Sequence, residues 1–369
     1  TISVLNQKCN RNFQISYAEA RLHNMTQKKV PVERLIRKDD ILINSTGTGT
    51  AGRVAQIRSV PCRTTVDGHM IILRANEKVM QRYLGYAIKA HQSEILQLDE
   101  GSTGQTELNR ERLLDEIMIC YPESIIVQEK IVTIFECIDQ KIVVNKKIND
   151  NLEQQAVTYF QELYINNANP MWQIGTISDL GTVVGGSTPS KTKPEYYTNN
   201  GIAWITPKDL SINKSKFISH GENDITELGL KNSSATVMPK GTVLFSSRAP
   251  IGYIAIASNE VTTNQGFKSV VPYLEIGTAF VYFFLKHSLP VIESAASGST
   301  FKEISGSAMK NIPAIIPDRS TLDQFNSFCA PIFAQQKILE DQNYSLAMLR
   351  DSLLPKLMSG AIDIASIQL

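Results

Sequence analysis

The sequence predicts an α+β fold made of two similar β-rich domains, each followed by a long helix. Three observations carry that prediction. Two stretches keep a helical apolar stripe over roughly 40 residues each, six short motifs recur in the same order about 200 residues apart, and strand and turn signals alternate between the stripes. At 369 residues the chain is long enough for two or three domains. Charged residues make up 20% and hydrophobic ones 42%, an ordinary globular balance. The net charge of +1 gives no global basic field, so any nucleic-acid binding has to rest on local patches or on a more basic partner. No apolar run is long enough to cross a bilayer, which predicts no membrane partner, and no signal peptide opens the chain. The five cysteines (Cys9, Cys62, Cys120, Cys137, Cys329) form no CxxC pair, which argues against zinc and for a reducing, cytoplasmic location.

Taken in order, the first domain is expected over residues 1–122. A strand-like opening (Ile2 to Lys8) leads through a mixed segment to Lys38-Asp39-Asp40-Ile41-Leu42-Ile43-Asn44-Ser45, a turn running into a buried strand. Arg53-Val54-Ala55 reads as a strand, 64–69 as an exposed turn, and 70–73 as another strand. A helix is expected over 83–96, a polar loop at 101–105, and a last strand over 113–122. The central helix, 123–169, carries Ile131, Ile134, Phe135, Ile138, Ile142, Ile148, Leu152 and Ala156 at spacings of three and four, and ends at Asn166, Asn167, Asn169 and Pro170. The repeat is close to 3.5, so a partner helix is expected.

The second domain is expected over 170–319 and the last helix over 320–369. Lys240-Gly241-Thr242-Val243-Leu244-Phe245-Ser246-Ser247 answers the strand ending at Ser45, and 252–255 answers 52–55. Thr262-Thr263 answers Thr64-Thr65, and Gly-Ser-Thr at 298–300 answers 101–103. Residues 172–200 have no counterpart in the first domain, so about 30 residues are expected to be missing ahead of Thr1. The C-terminal stripe holds Phe325, Phe328, Ile332, Ile338, Leu339, Leu346, Leu349, Leu353 and Leu357. Thr321 with Gln324 forms a capping box at its start, and Gly360 stops it. Periodicity alone leaves open that the two helices are unrelated and pack on separate domains.

Gly-Gly-Ser-Thr-Pro-Ser at 185–190, the paired strands, Thr-Thr-Asn-Gln-Gly at 262–266 and the ending Leu-Leu-Pro-Lys-Leu-Met-Ser-Gly at 353–360 resemble the specificity subunit of type I restriction–modification systems. The resemblance covers nearly the whole chain and is closer in its second half. It implies two target recognition domains whose long helices pair as an antiparallel coiled coil. It also implies a non-catalytic subunit that reads a two-part sequence in double-stranded DNA. Two modification (methyltransferase) subunits would bind it, and restriction subunits through them. S-adenosylmethionine, ATP and Mg are then expected only in those partners. Helices packed over roughly 40 Å would hold the two readers about 12 base pairs apart, near one turn of the duplex.

Polar loop residues are the candidates for base contact: Asn6, Gln7, Lys8, Asn44, Ser45, Thr46, Arg53, Gln105 and Thr106 in the first domain. In the second they are Thr206, Lys208, Ser246, Ser247, Arg248, Tyr253, Asn264, Gln265 and Lys302. Lys191, Lys193 and Tyr196 suit phosphate. The bland alternative is that such residues only solvate loops. Residues shared by both domains are expected to be structural, because two readers of different half-sites should differ at their base contacts. The candidate seam residues are Ile131, Phe135, Ile138, Ile142, Leu152, Ile332, Leu339, Leu346, Leu349 and Leu353, with Asn145 either fixing register or simply exposed.

Enzyme readings fare worse. Residues 47–52 fit G-x-G-x-x-G, but the segment after them reads as a strand, where a dinucleotide site needs a helix. Asn169-Pro170-Met171-Trp172 departs from the Asn-Pro-Pro-aromatic motif of adenine methylases, and the histidines are scattered singly. A scaffold whose two β-rich domains bind protein or carbohydrate is the remaining alternative.

Overall fold

The computed structural model describes residues 1–100, 107–298 and 302–364. Gln105, Thr106 and the Ser-Thr of 298–300 therefore lie outside the described residues. The chain divides into two compact units, Thr1–Ile142 with Ser345–Leu369, and Val143–Tyr344.

The first unit holds β1 (Ile2–Leu5), β2 (Arg21–His23), β3 (Ile41–Asn44), β4 (Val54–Gln56), β5 (Thr64–Val66) and β6 (Met70–Leu73), followed by α1 (Gln81–Ala90). Then come a two-stranded hairpin, β7 (Asp99–Glu100) with β8 (Glu107–Leu108), and the helices α2 (Arg110–Glu116) and α3 (Ile125–Gln161). β1 lies between β2, antiparallel, and β5, parallel; β3 lies between β4 and β6, both antiparallel. The segment 64–66, expected to be an exposed turn, is thus a buried strand, because its backbone pairs with β1.

The second unit repeats this plan. It contains β9 (Gln173–Thr176), β10 (Gly181–Gly185), β11 (Ile202–Ile205), β12 (Asn223–Ile225), β13 (Val243–Ser247), β14 (Ile251–Ala257), β15 (Thr262–Thr263) and β16 (Lys268–Pro272). After them come α4 (Thr278–His287), β17 (Pro313–Ile316) and α5 (Arg319–Met358). β11 lies between β12, antiparallel, and β15, parallel, as β1 does; β13 lies between β14 and β16, as β3 does.

Register corrects the alignment made from sequence. Leu5 faces Val66 and Ile205 faces Thr263. The next amide donates back in the same way in both units, Asp67 to the Leu5 carbonyl and Asn264 to that of Ile205, each at 3.0 Å. Thr263 therefore answers Val66, not Thr65, and Gly266 answers His69.

The strand expected over 113–122 is not formed. Asn109 caps α2 through bonds to the Glu111 and Arg112 amides, and residues 117–122 carry no assigned strand. In the second unit the corresponding β17 pairs with β9, and β9 lies in the stretch that has no first-domain counterpart. An extended segment becomes a strand only when its backbone finds a neighbouring strand; the carbonyls of Cys120 and Pro122 are instead taken by the side chains of Tyr83 and Gln128, at 3.0 and 2.8 Å.

Each unit contains part of both long helices, and in each the two run antiparallel. In the first, Ile131, Val132 and Phe135 pack with Tyr83 and Tyr86 of α1 and with Leu354, Leu357 and Met358 of α5, while Arg350 meets Asp139 at 3.0 Å. In the second, Asn145 donates to Gln342 and Asn343 at 3.3 and 3.0 Å, Gln336 donates to the Asn149 carbonyl at 3.1 Å, and Tyr164 reaches the Thr321 carbonyl at 3.2 Å. The seam on α3 follows a heptad through Phe135, Ile138, Ile142, Asn145, Asn149, Leu152 and Ala156. Ile148 is turned outward. On α5 it runs Phe325, Cys329, Ile332, Gln336, Leu339, Asn343, Leu346, Arg350 and Leu353, with Leu354 buried beside it. Leu349 is a correction: it is 47% exposed, as are Phe328 and Ile338 in large part, because each sits one residue off the 3.5 repeat. The start of α5 is a second correction. Asp318, not Thr321, is the cap, accepting from the Thr321 amide and hydroxyl at 2.9 and 3.0 Å. Gly360 ends the chain's last helix region in the left-handed conformation, as expected.

Candidate nucleic-acid interface

In each unit three chain reversals meet at one end of the paired sheets, and backbone bonds hold them together. In the second unit the amide of Asn264 reaches the Ile205 carbonyl, that of Ser247 reaches Gly266 at 2.7 Å, and that of Ser187 reaches Thr263 at 2.9 Å. The ends of β11 and β13 and the turn after β15 are thereby brought together. Asn264 shapes that turn by accepting from the Gly266 amide at 2.9 Å; Asp67 does the same for His69 at 2.9 Å in the first unit. There Ser45 donates to the His69 carbonyl at 2.9 Å, and Gln7 lies against the loop at Gly47.

Several sequence candidates are corrected by burial. Asn6, Asn44, Ser45, Ser246 and Ser247 are all below 5% exposed. Asn6 caps the turn at Lys8, and Asn44 donates to the Gln7 carbonyl at 3.1 Å while accepting from Asn10 at 3.1 Å. Ser246 donates to the Pro250 carbonyl at 2.8 Å and accepts from the Tyr253 amide at 2.7 Å. These polar groups satisfy backbone at the strand ends, as buried polar groups must, and are out of reach of a duplex. Thr206 is half-buried and forms a capping box with Asp209, its amide and hydroxyl bonding that carboxylate at 2.7 and 2.6 Å.

The remaining candidates keep a polar face in solvent. In the first unit these are Gln7, Lys8, Thr46 and Arg53, the last bonded to the Gly49 carbonyl at 2.9 Å. In the second they are Arg248, Tyr253, Asn264, Gln265 and Lys302 around the convergent loops, with Gln265 hydrogen-bonded to Thr188. Lys191, Lys193 and Tyr196 lie on a separate loop, and Lys193 is 3.8 Å from Glu195. Lys208 pairs with Glu222 at 2.6 Å, and that carboxylate raises the ammonium above its ordinary value. The Lys214 ammonium sits 4.2 Å over the Tyr253 ring.

Residues that sequence reasoning passed over also stand here. Thr46 and His69 share a 2.7 Å hydrogen bond, and Glu303 lies within reach of Ser247, Arg248 and Lys268. His69 was legible only as one member of a repeated motif. Glu303 had no signal, since its role depends on strand ends distant in sequence. The loop 46–52 is followed by β4, a strand, where a dinucleotide fingerprint needs a helix. Among the described residues no group of three or more His, Cys, Asp or Glu is arranged to hold a metal, and no helix is long and apolar enough to cross a membrane.

Comparison with known proteins bears on this pair of repeated units. Over 162 residues the chain is 43% identical to the type I restriction enzyme MjaIX specificity subunit of Methanocaldococcus jannaschii, covering 43% of this chain and 37% of that one. Over 194 residues it is 28% identical to the HindI specificity subunit of Haemophilus influenzae, covering 52% and 42%. The chain thus spans about two-fifths of the length of these curated relatives. The crystal structure of the S subunit of a type I restriction–modification system from M. genitalium has a similar fold, with a TM-score of 0.54 at 15% identity over 87% of this chain and 83% of that one. A family model described as the type I restriction modification DNA specificity domain matches residues 6–154 and again 169–341, most of the sequence, so the chain belongs to that family.

Proposed function

We propose that this chain is the DNA-reading, non-catalytic subunit of a type I restriction–modification complex, with one half of a bipartite target read by 1–122 and the other by 170–319. The observation that carries this is the pair of equivalent loop clusters. Three backbone bonds of their frames correspond (Asp67 to Leu5 and Asn264 to Ile205, Ser45 to His69 and Ser247 to Gly266, Leu108 to Ser45 and Ile304 to Ser247), while the side chains mounted on them differ: Thr46 and His69 in one, Arg248 and Gln265 in the other. A two-part reader needs that combination, common support with unlike contacts. The two matched relatives are named as specificity subunits, which agrees with it.

The partners in this reading are double-stranded DNA, two modification subunits, and restriction subunits attached through them, in the cytoplasm. S-adenosylmethionine, ATP and Mg belong to those subunits, and this chain contributes no cofactor site of its own. Apolar side chains left exposed on the helices, Val143, Val144 and Ile148 on α3 and Ile338 on α5, suit docking of the modification subunits.

Methylation mapping in the host with and without the gene tests the reading. A bipartite methylated motif should disappear on deletion, and exchanging 170–319 for the same segment of a relative should change one half of it. Unchanged methylation on deletion, or both halves altered by the exchange, would count against it.

A further inference from the structure

On the reading just given, we propose that Glu303 is a positioning residue that presents Arg248 to a guanine in the half-site taken by 170–319. Arg248 is the first residue beyond β13. Its backbone is fixed on both sides: Ser246 grips the Pro250 carbonyl and the Tyr253 amide, and Ala249 is held at a φ of +54°, a left-handed conformation uncommon for a residue with a side chain. Glu303 is fixed as well. It exchanges two backbone bonds with Ser297, at 3.1 and 2.9 Å, and the next amide, Ile304, donates to the Ser247 carbonyl at 3.1 Å.

The carboxylate of Glu303 divides its two oxygens. Oε1 accepts from the Ser247 hydroxyl at 3.3 Å and lies 3.5 Å from the Lys268 ammonium, while Oε2 faces Nη1 of Arg248 at 3.4 Å. Among the described residues the other nitrogens of Arg248 have no partner. The side chains of Arg248 and Glu303 are 39% and 36% exposed, and an exposed pair of this kind adds little to stability. What it does is restrict a long side chain. A guanidinium held by one nitrogen keeps its planar fork open for an acceptor that can take two bonds. In a major groove that acceptor is the O6/N7 edge of guanine. With Lys268 beside it, one carboxylate meets two cations, so the cluster stays electropositive toward DNA.

The first unit supplies an internal comparison. Leu108 donates to the Ser45 carbonyl at 2.7 Å, as Ile304 does to Ser247, and Glu107 pairs with Thr46 as Glu303 pairs with Arg248. The glutamate and its backbone pairing recur, but the residue opposite is Thr46, hydrogen-bonded to His69 instead of carrying a free fork. The bracing position is common to both units and the reader mounted on it is not.

The test is selection from randomised duplexes by the full chain, in the complex in which it purifies, for the wild type and for Glu303→Gln, Arg248→Ala and Arg248→Lys. Wild type should return a bipartite motif. All three variants should lose preference by about tenfold at the same single G·C pair, with every position of the other half-site unchanged as the internal control. Arg248→Lys keeps the charge, so its loss at that pair reports the planar fork; should Glu303→Gln prove unstable by thermal melting, Glu303→Asp, which keeps the carboxylate but draws it back from Arg248, takes its place with the same loss expected. Either of two outcomes overturns the proposal: Glu303→Gln, still folded, with an unaltered motif, or the variants shifting affinity equally for all sequences with a salt slope changed by about one, the mark of a phosphate contact. A wild type that selects no bipartite motif would instead remove the functional reading on which the proposal stands.

Discussion

Lys216 carries an ammonium that is almost wholly buried: burial pushes it below its ordinary value, and Glu153 is the chief group that opposes this. Its Nζ donates to Glu153 on α3 and, at 2.6 Å, to Gln336 on α5, and it lies 4.2 Å over the Phe333 ring. The amides of Lys216 and Phe217 both donate to the Glu340 carboxylate, at 2.8 and 3.1 Å. Four bonds thus tie one loop of the second unit to both helices. Burial alone would push the Glu153 carboxyl up, but Lys216 and Lys286 outweigh it and hold the group below its ordinary 4.5. A carboxyl depressed in the fold contributes stability that is complete above the ordinary value and disappears as pH falls through the folded one. Glu340, raised by burial, acts with the opposite sign, but it does so in wild type and variant alike. Glu153→Gln should therefore cost about 3 kcal/mol at pH 7, by leaving a buried ammonium without its anion. The gap in Tm should narrow as pH drops below 4.5; a gap independent of pH would remove the electrostatic account. A second residue-scale prediction concerns the loop at 46–52. Gly52 has a φ of +78°, and a Cβ there would stand 2.9 Å from the Ile95 carbonyl oxygen, whereas Gly49, at +69°, has nothing nearby. Gly52→Ala should cost about 1–3 kcal/mol and more than Gly49→Ala, measured by denaturant unfolding. At this scale the sequence was least informative. Ser246 and Arg248 are two residues apart and both polar, yet one is sealed in by its own hairpin and the other keeps part of its guanidinium in solvent, a distinction made by tertiary contacts.

The long helices were the most legible elements, because a 3.5 repeat is a local property that a packed seam enforces. What the apolar stripe could not indicate is that the repeat continues through polar residues. Asn145, Gln336 and Asn343 occupy heptad positions, so the nearby Ile148 and Ile338 read as seam and are not. Asn145 is fully buried, donates to both Gln342 and Asn343, and leaves its own Oδ1 without a partner. An unsatisfied buried acceptor costs about 1–3 kcal/mol, and such a residue is kept where it selects one register over its neighbours. Asn145→Leu should raise the Tm and loosen that selection. Cysteines placed at Asn149 and Gln336 report the register: they should cross-link less completely in the Asn145→Leu background. An equally efficient cross-link would show that Asn145 does not set the alignment. The strand expected over 113–122 failed at the same scale for a different reason, since strand formation is decided by a partner and not by the segment's own residues.

For the molecule as a whole, order and offset of the repeated motifs were enough to reveal the duplication, and the three strands of each first-unit sheet recur in the same order within the second unit's sheets, which carry further strands at their edges. The alignment slipped by one residue at Thr262, since two adjacent threonines in each copy offer no way to choose between registers; hydrogen bonding chose. The spacing role proposed for the helices is a further consequence. α3 and α5 run 37 and 40 residues without a break, and their seam repeats every seven. Inserting seven residues into each, after Asn145 in α3 and before Asn343 in α5, keeps every seam residue on its face while adding about 10 Å of rise. If the pair sets the distance between the two readers, the gap between half-sites should lengthen by about three base pairs at 3.4 Å each, and the bases within each half should stay the same. Methylation mapping reads both quantities at once. A gap that does not move, with both half-sites still recognised, would mean that something other than the helix pair holds the readers apart.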